Sequence, residues 1–139
     1  MERIGPHRLW IGHAGDVRDF AALHREGIEV VVQLAIEEVP ATLPRGFLAA
    51  SFPLIDGPGN RPEILDLAIR FIGGSILHRL PILVSCGAGL SRSPALTAAA
   101  MAWAGEGSPD ECLAHLSTHR RADVSPGLWS EVRRAIPNR

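Results

Sequence analysis

The chain has 139 residues, of which 46% are apolar and 21% are charged, a composition typical of one globular domain with a sizeable core. A net charge of −1 gives no basis for binding nucleic acid or an anionic membrane, and two cysteines cannot form a disulfide framework. No segment is long and apolar enough to span a membrane, and no signal peptide is visible. We therefore expect a single domain over residues 1–139 that acts as a monomer, with no nucleic-acid or membrane partner.

Strands and helices alternate along the chain, because short apolar runs are separated by longer amphipathic segments. The predicted strands cover residues 8–12, 28–35, 47–55 and 81–84. The predicted helices cover residues 16–26, 62–80, 94–104, 108–119 and 128–136. Residues 37–46 and 56–60, rich in Pro and Gly, are predicted loops. This order predicts an α/β fold, with a mostly parallel sheet covered by helices on both faces.

Capping residues mark several of the predicted helix boundaries. Asp16 is the expected N-cap of the first helix, and Gly27 is its expected stop. The Gly73–Gly74 pair predicts a break or a kink in the second helix. Ser108, followed by Pro and two acidic residues, predicts a strong helix start.

The strongest functional signal in the chain lies in residues 84–94, Val-Ser-Cys-Gly-Ala-Gly-Leu-Ser-Arg-Ser-Pro. An apolar strand precedes this stretch and an Ala-rich helix follows it, so it forms a tight strand-to-helix loop. Gly87 and Gly89 allow the backbone N–H groups to turn inward at a helix N-terminus, which makes an anion site. Cys86 at the mouth of that site is favoured as a thiolate nucleophile, and Arg92 offers a planar fork for two phosphate oxygens.

The spacing of Cys86, five residues, Arg92 and then Ser93 resembles the phosphate-binding loop of the cysteine-based protein tyrosine phosphatases. The flanking sequence is most similar to the compact dual-specificity branch, and the order of predicted elements fits that branch along nearly the whole chain. The resemblance implies an enzyme that hydrolyses phosphomonoesters: phosphotyrosine, with phosphoserine and phosphothreonine also accepted, in proteins or in small molecules. It implies no metal and no other cofactor, because the loop itself neutralises the phosphate.

The resemblance also assigns roles within this loop. Cys86 would attack phosphorus and form a phosphocysteine, while Arg92 and the loop N–H groups hold the equatorial oxygens. The substrate-binding residues of this phosphate loop are then Gly87, Ala88, Gly89, Leu90, Ser91 and Arg92. The Ser93 hydroxyl would stabilise the thiolate as it leaves in the second step; its structural alternative is a helix N-cap. A nucleophilic cysteine needs a reducing compartment, which favours the cytoplasm.

Asp56 is the candidate general acid. It ends an apolar strand and opens a Gly-Pro-Gly turn, well upstream of the cysteine, as the acid does in the family. It would protonate the leaving oxygen and then activate the water that cleaves the phosphocysteine. The structural alternative is a turn residue that caps its own backbone. Asn60 either positions this acid loop (residues 56–60) or caps the following helix, and Asp66, within a helix, is a poorer candidate acid.

Two other residues are expected to be structural. The family often has an arginine before a Pro-containing turn at this point of the chain, and Arg121 followed by Pro126 resembles it, so Arg121 is expected to support the fold. Cys112 is expected to belong to the core.

Two other functions compete with hydrolysis. The family usually has His where this chain has Ser85, and this difference favours a binding protein, a pseudo-phosphatase that captures phosphorylated partners. Sulfur transfer or arsenate reduction also use a cysteine in an anion-binding loop, but those reactions require a different loop spacing or a resolving thiol. Cys112 is poorly placed in the sequence for that role.

Overall fold

A single five-stranded sheet forms the centre of the computed structural model, which describes residues 1–139. The strands are β1 (Glu2–Arg3), β2 (Leu9–His13), β3 (Val30–Ala35), β4 (Leu48–Leu54) and β5 (Ile82–Cys86). Their order across the sheet is β1-β2-β5-β3-β4, and only β1 is antiparallel to its neighbour. The predicted α/β fold with a mostly parallel sheet is confirmed.

Five α-helices pack against the sheet. They are α1 (Phe20–Arg25), α2 (Pro62–Leu77), α3 (Arg92–Trp103), α4 (Pro109–Ser117) and α5 (Pro126–Ala135). The last four cover one face, where they enclose the larger hydrophobic core. On the other face, α1 and the preceding 3-10 turn cover a smaller core around Trp10, Leu23 and Leu83. No helix combines the length and the apolar character needed to cross a bilayer.

Strand β5 lies at the centre of the sheet and is buried along its whole length. Val84 is paired with Ile11 of β2 on one side and with Val32 of β3 on the other. A strand with neighbours on both edges and packed layers on both faces has a nearly continuous apolar sequence, and residues 81–84 fit this pattern. The carboxyl ends of β2, β3 and β5 therefore meet at one edge of the sheet, where ligands bind in such folds.

The start of the first helix differs from the prediction. Asp16 does not cap it: the Asp16 carboxylate accepts a hydrogen bond from His13 N at 2.9 Å and lies 3.2 Å from the terminal amine of Met1. Asp19 is the N-cap instead, and its carboxylate accepts a hydrogen bond from Ala22 N at 3.1 Å. The sequence signal misleads because residues 16–18 form a 3-10 turn before α1 begins.

The Gly-Gly pair in the second helix does not break it, since α2 runs without interruption from Pro62 to Leu77. A Cβ atom on Gly73 would overlap the Trp103 ring of α3. The glycine therefore permits close packing between two helices, and the predicted break is wrong. The predicted start of α4 is confirmed: Ser108 Oγ accepts from Glu111 N, and the Glu111 carboxylate accepts from Ser108 N, each at 3.1 Å.

Candidate active site

Cys86 is the last residue of the central strand, and only 3% of its surface is exposed. Its Sγ accepts a hydrogen bond from Ser93 N at 3.4 Å, in the first turn of α3. The sulfur therefore lies at the N-terminal end of a twelve-residue helix, where the aligned peptide dipoles favour negative charge.

The backbone of the phosphate loop has free donors. The N–H groups of residues 87–91 donate to no backbone or side-chain acceptor of the protein. Buried N–H groups are nearly always paired in folded proteins, and Gly89 and Ser91 are buried. A run of unpaired donors ahead of a helix N-terminus is the arrangement that binds an anion.

Close packing fixes the shape of this loop. Gly89 has a φ of +74°, and a Cβ atom there would lie 2.7 Å from the carbonyl oxygen of Gly12. A Cβ on Gly87 would lie 3.0 Å from the Glu37 carboxylate and 3.3 Å from Nη2 of Arg92. Gly89 is therefore required for steric reasons, and Gly87 is closely packed by two side chains. The loop rests on the end of β2.

Arg92 is almost fully buried, and three of its five donors are engaged by the protein. Nη1 donates to Glu37 Oε1 at 2.6 Å and to the Leu54 carbonyl at 2.9 Å, and Nη2 donates to Glu37 Oε2 at 2.5 Å. The Nε–H has no partner. The Nε–H and the remaining Nη2 hydrogen lie along one edge of the guanidinium, and a phosphate could accept from both of them.

Glu37 is a residue that sequence reasoning missed. Its hydrogen bonds with Arg92 lower the pKa of the carboxyl to about 2, and the same contact raises the pKa of Arg92. The pair therefore keeps both charges and holds the guanidinium in one orientation. The sequence does contain a signal for Glu37. It lies two positions after the end of a buried parallel strand, and such residues lie at the edge of the sheet where the carboxyl ends of the strands meet.

Ser93 is the second residue of α3 and is fully buried. The N-cap position belongs to Ser91, so the alternative role predicted for Ser93 is wrong. The Ser93 hydroxyl has no hydrogen-bond partner, although its own backbone N–H contacts the sulfur of Cys86. A buried hydroxyl without a partner beside a candidate nucleophile has a donor available for that group.

Asp56 lies beside the phosphate loop, although 35 residues separate it from Ser91 in the sequence. Its Oδ1 accepts a hydrogen bond from Ser91 Oγ at 2.6 Å and another from Ser125 Oγ at 2.7 Å. The predicted acid and the predicted phosphate loop are thus brought together. Ser125 is not identified by the sequence, since a single serine before a Pro-Gly pair carries no functional signal.

Asn60 positions the acid loop and does not cap the next helix, which has Arg61 as its N-cap residue. Asn60 Oδ1 accepts from Ile55 N at 2.8 Å, and its Nδ2 donates to the carbonyls of Ile55 and Gly57 at 3.0 and 3.2 Å. The side chain therefore closes the turn across its base. Of the two roles that the sequence left open, the structure favours the first.

Ser85, which stands where the family usually has His, is turned away from the loop. Its hydroxyl donates to the Val32 carbonyl at 2.9 Å, inside the sheet. The residue is 2% exposed. The Ser85 hydroxyl is therefore paired with a carbonyl of β3 and makes no hydrogen bond with Cys86.

The arginine that supports the loop is Arg120, not Arg121. Arg120 Nη1 donates to the Ile11 carbonyl at 2.9 Å and pairs with Glu2 at 3.0 Å. Its Nη2 lies 3.1 Å from the position of a Cβ on Gly89, directly against the phosphate loop. Arg121 is exposed and makes no side-chain hydrogen bond or ion pair, so its predicted structural role is wrong.

Two other predicted residues lie away from this site. Asp66 is on α2, where its carboxylate accepts from Arg70 at 2.7 Å. Cys112 is buried in the first turn of α4 beside Gly107, in the connection that follows the C-terminal end of α3. Cys86 contacts the N-terminal end of the same helix, which is about 18 Å long. Burial raises the pKa of the Cys112 thiol, which is therefore a core residue.

Comparisons with known proteins agree with this geometry. A family model described as "Polymorphic toxin system, DSP-PTPase phosphatase" matches residues 8–106. A search of curated proteins found no significant match.

Many solved structures share the fold, among them the following three. Human DUSP28 aligns over 97% of this chain and 94% of its own, with a TM-score of 0.84 and 22% identity. The human tyrosine phosphatase-like serine/threonine/tyrosine-interacting protein aligns over 96% and 93%, with a TM-score of 0.81 and 21% identity. A leucine rich repeat and phosphatase domain containing protein from Entamoeba histolytica aligns over 96% and 88%, with a TM-score of 0.77 and 15% identity.

Proposed function

Because the chain belongs to the DSP-PTPase phosphatase family, we propose that it hydrolyses phosphomonoesters through a phosphocysteine on Cys86, without a metal ion. The resemblance to cysteine-based, dual-specificity phosphatases that the loop predicted is confirmed, and so is the assignment as a phosphatase of that class.

The first step forms the covalent intermediate. The thiolate of Cys86 attacks phosphorus in line with the ester oxygen, so the S–P bond forms as the P–O ester bond breaks. The leaving oxygen takes a proton from the Asp56 carboxyl and departs as an alcohol or a phenol. Arg92 and the N–H groups of residues 87–91 hold the three equatorial oxygens, on which charge changes during transfer.

The second step returns the enzyme to its starting state. A water molecule attacks phosphorus while the Asp56 carboxylate accepts its proton, so that Asp56 regains the proton it gave. The S–P bond breaks and the Cys86 thiolate leaves, with the Ser93 hydroxyl as a hydrogen-bond donor to it. The product is inorganic phosphate.

One observation carries the proposal: the free donors around Cys86 match a phosphate group. Five backbone N–H groups and one edge of Arg92 lack acceptors in the protein. Free donors at a protein surface are ordinarily hydrated, but here they converge on the strand-to-helix turn that begins with a cysteine. A dianionic phosphoryl group supplies three acceptor oxygens for them.

We propose aryl phosphates, phosphotyrosine foremost, as the preferred substrates, with phosphoserine and phosphothreonine also accepted. The loop interior, Gly-Ala-Gly-Leu-Ser, holds no basic side chain for additional phosphates. A singly phosphorylated substrate therefore suits it better than a phosphoinositide.

The direct test is hydrolysis of 4-nitrophenyl phosphate by the wild type and by Cys86→Ser, with a metal chelator present. The wild type should turn over and be inhibited by vanadate, whereas C86S should lose at least about 10³-fold in kcat. C86S should still bind tungstate, because the free donors of the loop are unchanged.

Two results would contradict the proposal. Turnover by C86S near the wild-type rate would remove Cys86 as the nucleophile. Tungstate binding without turnover by the wild type at any pH would identify a binding protein for phosphorylated partners.

A further inference from the structure

We propose that Ser125, at the start of α5, is the positioning residue for Asp56, and that α5 holds the acid loop over the phosphate loop. This inference rests on the proposed role of Asp56 as the general acid. The supporting contacts join three separate parts of the chain: the acid loop, the phosphate loop and the N-terminal end of α5.

Three hydrogen bonds link these parts. Ser125 Oγ and Ser91 Oγ both donate to Asp56 Oδ1, at 2.7 and 2.6 Å. The backbone N–H of Ser125 donates to Ser91 Oγ at 3.0 Å. Because Ser91 Oγ accepts this bond, its single hydrogen is free to point at Asp56; the contact between the two hydroxyls is longer, at 3.3 Å.

The arrangement distinguishes the two oxygens of the carboxyl group. Oδ1 accepts both hydroxyl donors, whereas Oδ2 has no hydrogen-bond partner in the protein. A carboxyl group that two donors hold through one oxygen is fixed in orientation. Oδ2 is therefore the oxygen available to carry the proton to the leaving group, and Ser125 sets the direction in which it points.

Helix α5 also holds the backbone of the acid loop. The Glu131 carboxylate accepts from Gly59 N at 2.8 Å and from Asn60 N at 3.2 Å. A Cβ atom on Gly127 would lie 2.8 Å from the Pro58 ring, so the turn packs directly against the first turn of the helix. The loop is thus attached to α5 through its backbone as well as through Asp56.

Ser125 is a better target for a test than Ser91. Ser91 belongs to the phosphate loop, so its replacement would disturb phosphate binding together with Asp56. Ser125 lies outside that loop and contacts only Asp56 and Ser91 through its side chain. A change in phosphate affinity is therefore not expected in a Ser125 variant.

The test measures how the rate depends on the leaving group. For Ser125→Ala, we expect kcat/KM on phenyl phosphate, a poor leaving group that needs the acid, to fall about tenfold. On 4-nitrophenyl phosphate, whose phenoxide leaves readily, kcat/KM should change by less than about twofold, and kcat/KM is compared because kcat also contains the second step, which both substrates share. KM and tungstate affinity should remain at the wild-type values, and Ser125→Thr should restore the rate on phenyl phosphate.

Ser130→Ala is the matched control, since Ser130 is an exposed serine on the same helix without a side-chain hydrogen bond. It should behave like the wild type on both substrates. A general loss of stability would slow both substrates alike, and a thermal melt would detect it. Glu131→Gln gives a second, independent variant, for which we expect the same selective loss in a weaker form.

Asp56→Asn, measured in the same series, separates the two hypotheses. If D56N lowers kcat/KM, which reports only the step that releases the leaving group, equally for both substrates, the proposed acid is wrong. If D56N is selective for phenyl phosphate while S125A and E131Q match the wild type, Asp56 is the acid and only the role of α5 is wrong. Selective losses in D56N and S125A, with rescue by S125T, support the inference.

Discussion

The phosphate loop and the acid loop are both glycine-rich turns that follow a strand, but they are built in opposite ways. In the phosphate loop the glycines are packed against their surroundings, and the backbone N–H groups are free. In the acid loop Gly57 and Gly59 have open space around them, and the N–H groups of Gly59 and Asn60 are bound by Glu131.

This difference fits the role that the proposed mechanism gives to each loop. A loop that binds an anion through its backbone must be held by steric contact, because its hydrogen-bond donors are reserved for the ligand. A loop that contributes one side chain can use its backbone donors for attachment instead. Variants of the phosphate loop and variants of the acid loop should therefore differ in their effects on phosphate binding, on catalytic rate and on stability.

The largest expected effect follows from changing the arginine of the phosphate loop. Arg92→Lys should lower kcat/KM by about 10²- to 10³-fold, because an ammonium cannot bind Glu37 and two phosphate oxygens with one planar group. Tungstate affinity, measured by calorimetry, should fall as well. The exposed Arg121→Lys is the control, and comparable losses in both variants would contradict the role of Arg92.

Replacing the acid should separate chemistry from binding. Asp56→Asn should lower kcat/KM on phenyl phosphate by about 10²-fold or more. Tungstate affinity should not change, because Asp56 contacts the phosphate loop through the Ser91 hydroxyl and none of the free N–H donors of that loop binds it. Asp66→Asn, which changes an acidic residue paired on the surface of α2, should have the wild-type rate. A loss of tungstate binding in D56N would show that the two loops do not have separate roles.

A pair of glycine variants compares the two kinds of support directly. Gly89→Ala combines a positive φ with a clash against the Gly12 carbonyl, and should lower the free energy of unfolding by about 3 kcal/mol. Gly59→Ala also has a positive φ but has open space, and should cost about 1 kcal/mol. Urea unfolding measures both values, and equal costs would contradict the steric argument.

The smallest effect concerns the ion pair of Glu37 and depends on pH. Arg92 lowers the pKa of Glu37 from its ordinary 4.5 to about 2. The pair therefore stabilises the fold above about pH 4.5, and this contribution is lost as the pH falls toward 2. The stability difference between the wild type and Glu37→Gln should shrink over that range, and remain modest, because the Glu37 side chain is 53% exposed. A difference that is constant from pH 7 to pH 2 would contradict the assignment.

Local signals in the sequence are enough to predict most of the fold. The apolar run at residues 81–84 becomes the central strand, and the Ser108 capping signal marks the true start of α4. The errors occur where a tertiary contact determines the structure. Gly73 was predicted to break α2, but its missing side chain leaves room for the Trp103 ring of α3. Asp16 was predicted to cap α1, but its carboxylate pairs with the amine of Met1.

The phosphate loop could be predicted from sequence alone, because Cys86, the two glycines and Arg92 lie within seven consecutive residues and their chemistry depends on local backbone geometry. The residues that surround this loop could not, because they depend on the tertiary fold. Glu37 lies 55 residues from Arg92, and Ser125 lies 69 residues from Asp56. The parallel sheet brings the carboxyl ends of distant strands to one edge, and helix packing adds the start of α5. Contacts across such separations leave no periodic or spacing signal in one sequence, since they depend on how the elements pack.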